Sequence, residues 1–252
     1  MATHPKVRAL LISNSKCHGR DYFDHAEDAI SKFLGEVRRV LFIPYALKDH
    51  DGYTKIMAER FARMGIELTS IHLNAGHPSY AYAQREAVFQ AEAIFVGGGN
   101  TFRLTHALYH ICTSVSDNLM GALRRRILSG IPYIGSSAGA NLACPTIMTT
   151  NDMPIVQPER FKALGLVPFQ INPHYPNLDP ASTHMGETRD VRLKEYHEEN
   201  DRPIVALREG AWLRVEGGIV TLEGAQGAKL FRRGAPPEEL ENGPIPNILL
   251  EL

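Results

Sequence analysis

Residues 131–141 read Ile-Pro-Tyr-Ile-Gly-Ser-Ser-Ala-Gly-Ala-Asn, and Gly135, Ser137 and Gly139 set a Gly-x-Ser-x-Gly pattern between an apolar run and a run of small residues. A serine on a sharp strand-to-helix turn has strained backbone angles and close neighbours, so the positions flanking it must be nearly free of side chain. Ser137 fits that register and Ser136 does not. A tight turn that happens to contain serines would read the same way, so the companions decide. A serine hydroxyl is a poor nucleophile until a base takes its proton, and that base is usually a histidine fixed by an acid. Of the eleven histidines, His174 is best placed, downstream of the serine in a loop after an apolar run and between Pro173 and Pro176. His184 and His197 fall on an expected helix among charged neighbours, where a solvated face explains them. Two acids compete. Asp152 would give the chain order Ser, Asp, His of the α/β-hydrolases, and Glu209, just beyond Ile204–Leu207, would give Ser, His, Glu; spacing leaves both open.

Acyl transfer also needs backbone amides aimed at the developing oxyanion. Gly97-Gly98-Gly99-Asn100 follows an apolar strand and precedes a helical pattern, so its amides belong at a strand end and a helix N-terminus, where an anion is held. The simpler alternative is that Asn100 caps the helix while the glycines supply the turn. Phosphate binding is the competing function, yet neither Gly-x-Gly-x-x-Gly nor a Gly-Lys-Ser/Thr ending is present. The amide of Ala138, next after the serine, is the natural second donor. No metal site is expected: His106 and His110 lie opposite the stripe of Leu104, Ala107, Leu108 and Ile111, with no carboxylate or thiol at ligand spacing. Cys17, Cys112 and Cys144 are odd in number and widely spaced, which excludes a disulfide framework and a Cys-x-x-Cys motif and leaves free thiols.

The elements that must position these groups alternate. Strand-like runs at Val7–Ser13, Val37–Pro44, Ile66–Leu73, Ala93–Val96 and Ile131–Gly135 are separated by helical spacing at Tyr22–Leu34, Tyr53–Met64 and Tyr80–Ala91. Such alternation calls for a mostly parallel sheet covered by helices on both faces. The continuous apolar runs Ala9–Ile12 and Val40–Ile43 suit strands buried on both faces. After residue 145 polar, proline-marked loops surround an apolar run at Leu166–Ile171. A helix is expected over Thr183–Glu199, then strands at Pro203–Leu207, Ala211–Val215 and Ile219–Leu222 with a hairpin turn at Gly217-Gly218. One catalytic domain over residues 1–232 is expected, with a loosely packed tail over 233–252.

The 44% hydrophobic and 22% charged fractions of the 252 residues describe a globular chain without a run of eighteen apolar residues. A formal charge of -1, from 27 basic and 28 acidic residues, supplies no general attraction for nucleic acid. The N-terminal residues contain no apolar signal segment, so the cytoplasm is the expected compartment and no membrane partner is expected. Oligomeric state is not encoded in any of these features.

Phe95-Val-Gly-Gly-Gly-Asn-Thr-Phe102, Tyr133-Ile-Gly-Ser-Ser-Ala-Gly-Ala-Asn141, Thr149-Thr-Asn-Asp-Met-Pro-Ile155, Gln170-Ile-Asn-Pro-His-Tyr175 and Gly186-Glu-Thr-Arg189 together resemble the peptidase E family. Its members are aspartyl dipeptidases, serine peptidases of class I glutamine amidotransferase-like fold, and the likeness runs in order over most of residues 5–232. The resemblance implies a three-layer α/β sandwich with Ser137 as nucleophile, His174 as general base and Glu209 as the acid, and amides of Gly98, Gly99 or Ala138 as the oxyanion hole. It implies small peptides with an N-terminal L-aspartate as substrates, and no metal or organic cofactor. A bidentate arginine suits a carboxylate, so Arg189 is the candidate for the aspartyl side chain, with Asp152 for the substrate ammonium and Asn100 and Tyr175 also in the pocket. Position 136 is Ser where the family commonly carries a bulky side chain, which implies a more open pocket floor. The rival readings are a cyanophycinase-like serine peptidase on the same scaffold and an α/β-hydrolase-type esterase.

Overall fold

The run Ala9–Ile12 is apolar at every position because both faces of its strand are covered. Ala9 and Leu11 point into one apolar cluster, and Leu10 and Ile12 into another, as the two-residue period of a strand requires. The computed structural model describes residues 6–74, 80–111, 118–176 and 186–246. Its strands are β1 (Arg8–Ile12), β2 (Arg39–Ile43), β3 (Glu67–Ser70), β4 (Ile94–Val96), β5 (Pro132–Ser136), β6 (Gln170–Tyr175), β7 (Ile204–Arg208), β8 (Ala211–Glu216), β9 (Ile219–Gly224), β10 (Ala228–Phe231), β11 (Glu238–Leu240) and β12 (Gly243–Pro244). Its α-helices are α1 (Glu27–Leu34), α2 (His50–Arg63), α3 (Tyr80–Gln90), α4 (Thr101–His110), α5 (Leu119–Leu128), α6 (Ala138–Leu142) and α7 (Arg189–Glu199).

The strands form two sheets. The larger has the order β12-β9-β8-β1-β5-β4-β2-β3; its β1, β5, β4, β2 and β3 are parallel, and β8, β9 and β12 extend it in antiparallel pairs. Helices α1 and α2 close one face around Phe23, Phe42, Phe61 and Phe95, and α3 to α6 close the other. This is the three-layer α/β sandwich expected from the β-α alternation. The smaller sheet, β11-β10-β7-β6, pairs β6 and β7 in parallel and packs Tyr175, Ile204, Ala206 and Phe231 against Leu193 of α7. Among the described residues no helix is long and apolar enough to cross a membrane.

Several boundaries differ from the sequence reading, each for a local reason. The first helix starts at Glu27 instead of Tyr22, because Phe23 adopts a left-handed φ of 57° and turns its ring inward against Phe61 and Phe95. The third strand stops at Ser70 and passes into a 3-10 turn over Ile71–Asn74, where Ser70 Oγ meets His72 Nδ1 at 2.6 Å. Helix α7 starts at Arg189, with the Thr188 hydroxyl accepting from the Val191 amide; residues 183–185, including His184, lie outside the described residues, as does Cys112. Gly217 and Gly218, at φ 61° and 82°, form the expected hairpin turn between β8 and β9. Beyond residue 232, β11 pairs with β10 and β12 with β9, so this segment adds an edge to each sheet.

Candidate active site

The carboxyl ends of three neighbouring parallel strands converge on Ser137. Such strand ends are where open α/β sheets place their sites. The serine follows β5 at φ 54° and ψ -106°, a region that costs a non-glycine residue about 1–3 kcal/mol, and it opens α6. Two glycines permit the turn by close approach. A Cβ on Gly135 would lie 2.6 Å from the Gly139 carbonyl carbon, and one on Gly139 would overlap the Val96 carbonyl of β4. The pattern is therefore enforced by backbone contact, which no side chain could relieve.

His174 comes from the end of β6 and Glu209 from the turn between β7 and β8. Ser137 Oγ and His174 Nε2 are 2.9 Å apart, and His174 Nδ1 and Glu209 Oε1 are also 2.9 Å apart. The three side chains form one hydrogen-bonded line in the geometry of a nucleophile, its base and an orienting acid. The histidine also sits at a left-handed φ, 55°, where β6 slips register against β7 between Asn172 and Tyr175. Asp152 is elsewhere. Its Oδ2 accepts from the Thr101 amide at 2.7 Å, the Thr101 hydroxyl at 2.6 Å and the Thr150 hydroxyl at 3.0 Å, which ties it to the start of α4. The Ser, Asp, His order of an α/β-hydrolase is thus not assembled.

The glycine loop after β4 lies against the serine: a Cβ on Gly98 would be 3.2 Å from Ser137 Cβ. Burial raises the Tyr53 hydroxyl above its ordinary range, an effect offset in part by a hydrogen bond from the Gly98 backbone. Among the described residues, neither the Gly99 amide, at φ 132°, nor the Ala138 amide, at the start of α6, has a carbonyl partner in the surrounding turn. The Ser137 amide is not available, since it donates to the Ile12 carbonyl at 2.9 Å.

A cavity of about 310 Å³ adjoins the serine, lined by Gly99, Ser137, Asn141, Asn151, Asp152 and His174 among others. A second, of about 240 Å³, shares Thr150, Asn151 and Asp152 with it and is lined by Asn172, Arg189 and Tyr196. The strip 150–152 therefore runs from the nucleophile toward Arg189. The arginine is half-buried, and its Nη1 donates to Asn172 Oδ1 at 3.3 Å. Burial, then Arg192 nearby, lowers its pKa from the ordinary value, so an anion would relieve a charge held away from water. Among the described residues no carboxylate pairs with it.

Two expected pocket residues are placed differently. The Asn100 side chain accepts from the Arg103 amide at 3.0 Å and donates to the Met153 carbonyl at 2.8 Å, so it caps α4 and pins the 149–155 loop, and it lines neither cavity. Tyr175 is buried, gives its hydroxyl to Asp190, and lines a cavity of about 400 Å³ on the far side of His174 with Cys17, Arg208, Glu209 and Gln226. Ser136 is fully buried within β5 and lines neither cavity at Ser137, so its small size does not open their floor. Cys144, in the core, has its thiol pushed up to about 12 by burial and stays protonated. His106 and His110 stack with ring centroids 3.8 Å apart, their Nδ1 atoms facing the Gln157 and His106 carbonyls.

Sequence reasoning did not single out Ser13, Asn14, Asn151 or Asn172. The last two join the 149–152 loop to β6, with Asn172 Nδ2 donating to the Thr149 carbonyl at 2.8 Å and to Asn151 Oδ1 at 2.6 Å. Their one sequence signal was position: polar residues at strand ends or in a loop beside a suspected nucleophile.

A family model described as Peptidase family S51 matches residues 9–223. The chain is 50% identical over 246 residues to Peptidase E of Streptomyces coelicolor, covering 98% of this chain and 96% of that one. It is 42% identical over 234 residues to a Drosophila melanogaster protein named probable alpha-aspartyl dipeptidase, covering 92% of each. A crystal structure of a peptidase from an acI-B1 Actinobacterium superposes with a TM-score of 0.64 at 16% identity, over 95% of this chain and 96% of that one.

Proposed function

Because the chain belongs to peptidase family S51 and is a peptidase of the dipeptidase type, we propose that it cleaves the bond after an N-terminal L-aspartate, with Ser137 as nucleophile, His174 as base and Glu209 as the acid. The observation that carries this reading is the continuous line from Ser137 Oγ through His174 to Glu209, with 2.9 Å at each step. His174 Nε2 takes the hydroxyl proton as Oγ attacks the aspartyl carbonyl carbon, and the Gly99 and Ala138 amides receive the oxyanion. The tetrahedral intermediate collapses as His174 returns that proton to the leaving amine. Water, deprotonated by the same nitrogen, then attacks the ester and releases aspartate with Ser137 restored.

Specificity follows from charge. An aspartyl residue presents a carboxylate and an ammonium, and Asp152 lines both cavities while Arg189 lines the one farther from Ser137. Asp152 Oδ2 is already occupied by three donors, whereas Oδ1 accepts from no described residue and can take the ammonium. Arg189→Ala is expected to lower kcat/KM for Asp-Leu by about a hundredfold, in line with about 3 kcal/mol for a charge-assisted pair. A loss of less than about tenfold, roughly 1.4 kcal/mol, would overturn the assignment of Arg189 to the substrate carboxylate.

The acid is tested by comparison. Its side chain is 56% exposed, so water shares in solvating the histidine and the carboxylate contributes less than a buried one. Glu209→Gln is accordingly expected to cut kcat by about a hundredfold, short of the roughly 10⁴-fold seen when a buried triad acid is amidated. The readout is steady-state hydrolysis of Asp-Leu alongside Asp152→Asn. If Asp152→Asn lowered kcat at unchanged KM while Glu209→Gln left it intact, the triad assignment would be wrong.

A further inference from the structure

The nucleophile and the base stand on different sheets. Ser137 follows β5 of the larger sheet, and His174 is the penultimate residue of β6 in the smaller one. A proton transfer across 2.9 Å requires that the two sheets be held in register with one another. Residues 12 to 14, at the carboxyl end of β1, touch the backbone of Ser137, of His174 and of Gly210, the neighbour of Glu209. The Ile12 carbonyl accepts from the Ser137 amide at 2.9 Å. Ser13 Oγ accepts from the His174 amide at 2.9 Å and donates to the Leu207 carbonyl, also at 2.9 Å. Asn14 Oδ1 accepts from the amide of Gly210, next to Glu209, at 2.7 Å.

The Ser13 contact has a physical cause. At the register shift in β6 an extra residue intervenes between the pairs Asn172–Ala206 and Tyr175–Arg208, so the His174 amide leaves the ladder. An amide removed from its ladder in a buried place needs another acceptor. Ser13 is fully buried, and its hydroxyl fills the gap between the β6 amide and the β7 carbonyl. It thereby sustains the left-handed backbone that aims the imidazole at Ser137. Asn14, 1% exposed, is fixed in turn by Nδ2 donating to the Lys16 carbonyl at 2.9 Å and to Cys17 Sγ at 3.3 Å.

We propose that Ser13 is a positioning residue for catalysis, a side-chain link from β1 that sets the base on the smaller sheet against the nucleophile on the larger one, with Asn14 holding the acid-bearing turn from the same strand end. This rests on the assignment of Ser137 and His174 given above. The hydroxyl, not its bulk, carries the effect. Ser13 touches no cavity next to Ser137, so its removal should act on kcat and spare KM.

The test measures kcat and KM for Asp-Leu, the rate of Ser137 modification by a fluorophosphonate, and Tm, in wild type, Ser13→Ala, Ser13→Cys and Ser13→Thr. Ser13→Ala and Ser13→Cys are expected to lose about 10- to 100-fold in kcat and in modification rate, with KM within about threefold, whereas Ser13→Thr, which keeps the hydroxyl, recovers most of both. Cysteine keeps a single heavy atom beyond Cβ, somewhat larger than the hydroxyl, but is a weak hydrogen-bonding group, so it decides the matter if the alanine variant fails to fold. Wild-type kcat in Ser13→Cys, or a folded Ser13→Thr as slow as Ser13→Ala, overturns the proposal. Ser137→Ala runs alongside. If it still hydrolyses Asp-Leu, the nucleophile assignment has failed; if it is inactive while Ser13→Cys stays fast, the positioning role alone has failed.

Discussion

Ser137→Ala should lower kcat/KM for Asp-Leu by at least about 10⁴-fold while leaving Tm within a few degrees of wild type. The substitution removes one atom, the Oγ that stands 2.9 Å from His174 Nε2, and with it any route through an acyl-enzyme. Loss of a triad nucleophile of this kind costs about 10⁶-fold in kcat, and the residual rate comes from the oxyanion hole and binding. Stability should hold because Ala at φ 54° is strained to the same degree as Ser, and the Ser137 amide keeps its bond to Ile12. Release of aspartate, followed for Asp-Leu against a panel of other X-Leu dipeptides, measures both the loss and the specificity. Equal hydrolysis by the variant would remove the central claim.

The second large effect is on the fold. Gly139→Ala places a Cβ on the Val96 carbonyl oxygen, with the carbonyl carbon at 3.0 Å and the Val96 Cβ at 3.2 Å. These atoms belong to a fully buried strand with neighbours on both sides, so the helix must move away from the sheet. Overpacking of a closed site costs about 1–3 kcal/mol where side chains can yield, and the upper end applies where only backbone is available. At about 2–4 °C per kcal/mol for a chain of this size, Tm should fall by about 10 °C. Activity should fall as well, since the same movement separates the Ala138 amide from the Gly98-Gly99 loop, and a displacement of 1 Å can cost about a hundredfold. Gly165→Ala is the control: a Cβ there meets nothing within 4 Å, so it bears only the conformational penalty of its positive φ, 62°, which Gly139, inside α6, does not carry. A Tm for Gly139→Ala within 2 °C of that control would show that the turn tolerates a side chain.

The larger sheet was legible because its strands are buried on both faces. Ala9–Ile12, Val40–Ile43 and Ile94–Val96 are apolar without interruption, and amphipathic segments separate them. The smaller sheet was not legible as a separate sheet, since Ile204–Leu207 and Ala211–Val215 read alike as strands although β7 joins one sheet and β8 the other. Phe23 shows the same limit at one residue. Its spacing fits a helix, and only the edge-on contact with the stacked rings of Phe61 and Phe95 draws it into a left-handed turn. Among site residues, Ser137 declared itself through the glycines that its turn demands. Asn100 and Tyr175 carried suitable chemistry in matching blocks, yet the structure spends one on a helix cap and turns the other to the far side of His174.

Local chemistry was thus written in the sequence by itself: a strained serine turn that admits only glycine around it, a histidine and two acids able to serve it, a strand-end loop of amides, and the β-α grammar that covers a parallel sheet. Tertiary structure placed Glu209, and not Asp152, beside His174, joined Arg189 to the serine's pocket through the 150–152 strip, and gave Ile12, Ser13 and Asn14 their hold on the backbone at Ser137, His174 and Gly210. The division has a physical cause. Backbone strain and hydrophobic period act between near neighbours in the chain and leave a mark in residue type, whereas a hydrogen bond between Ser13 and His174 spans 161 residues and depends on how two sheets meet.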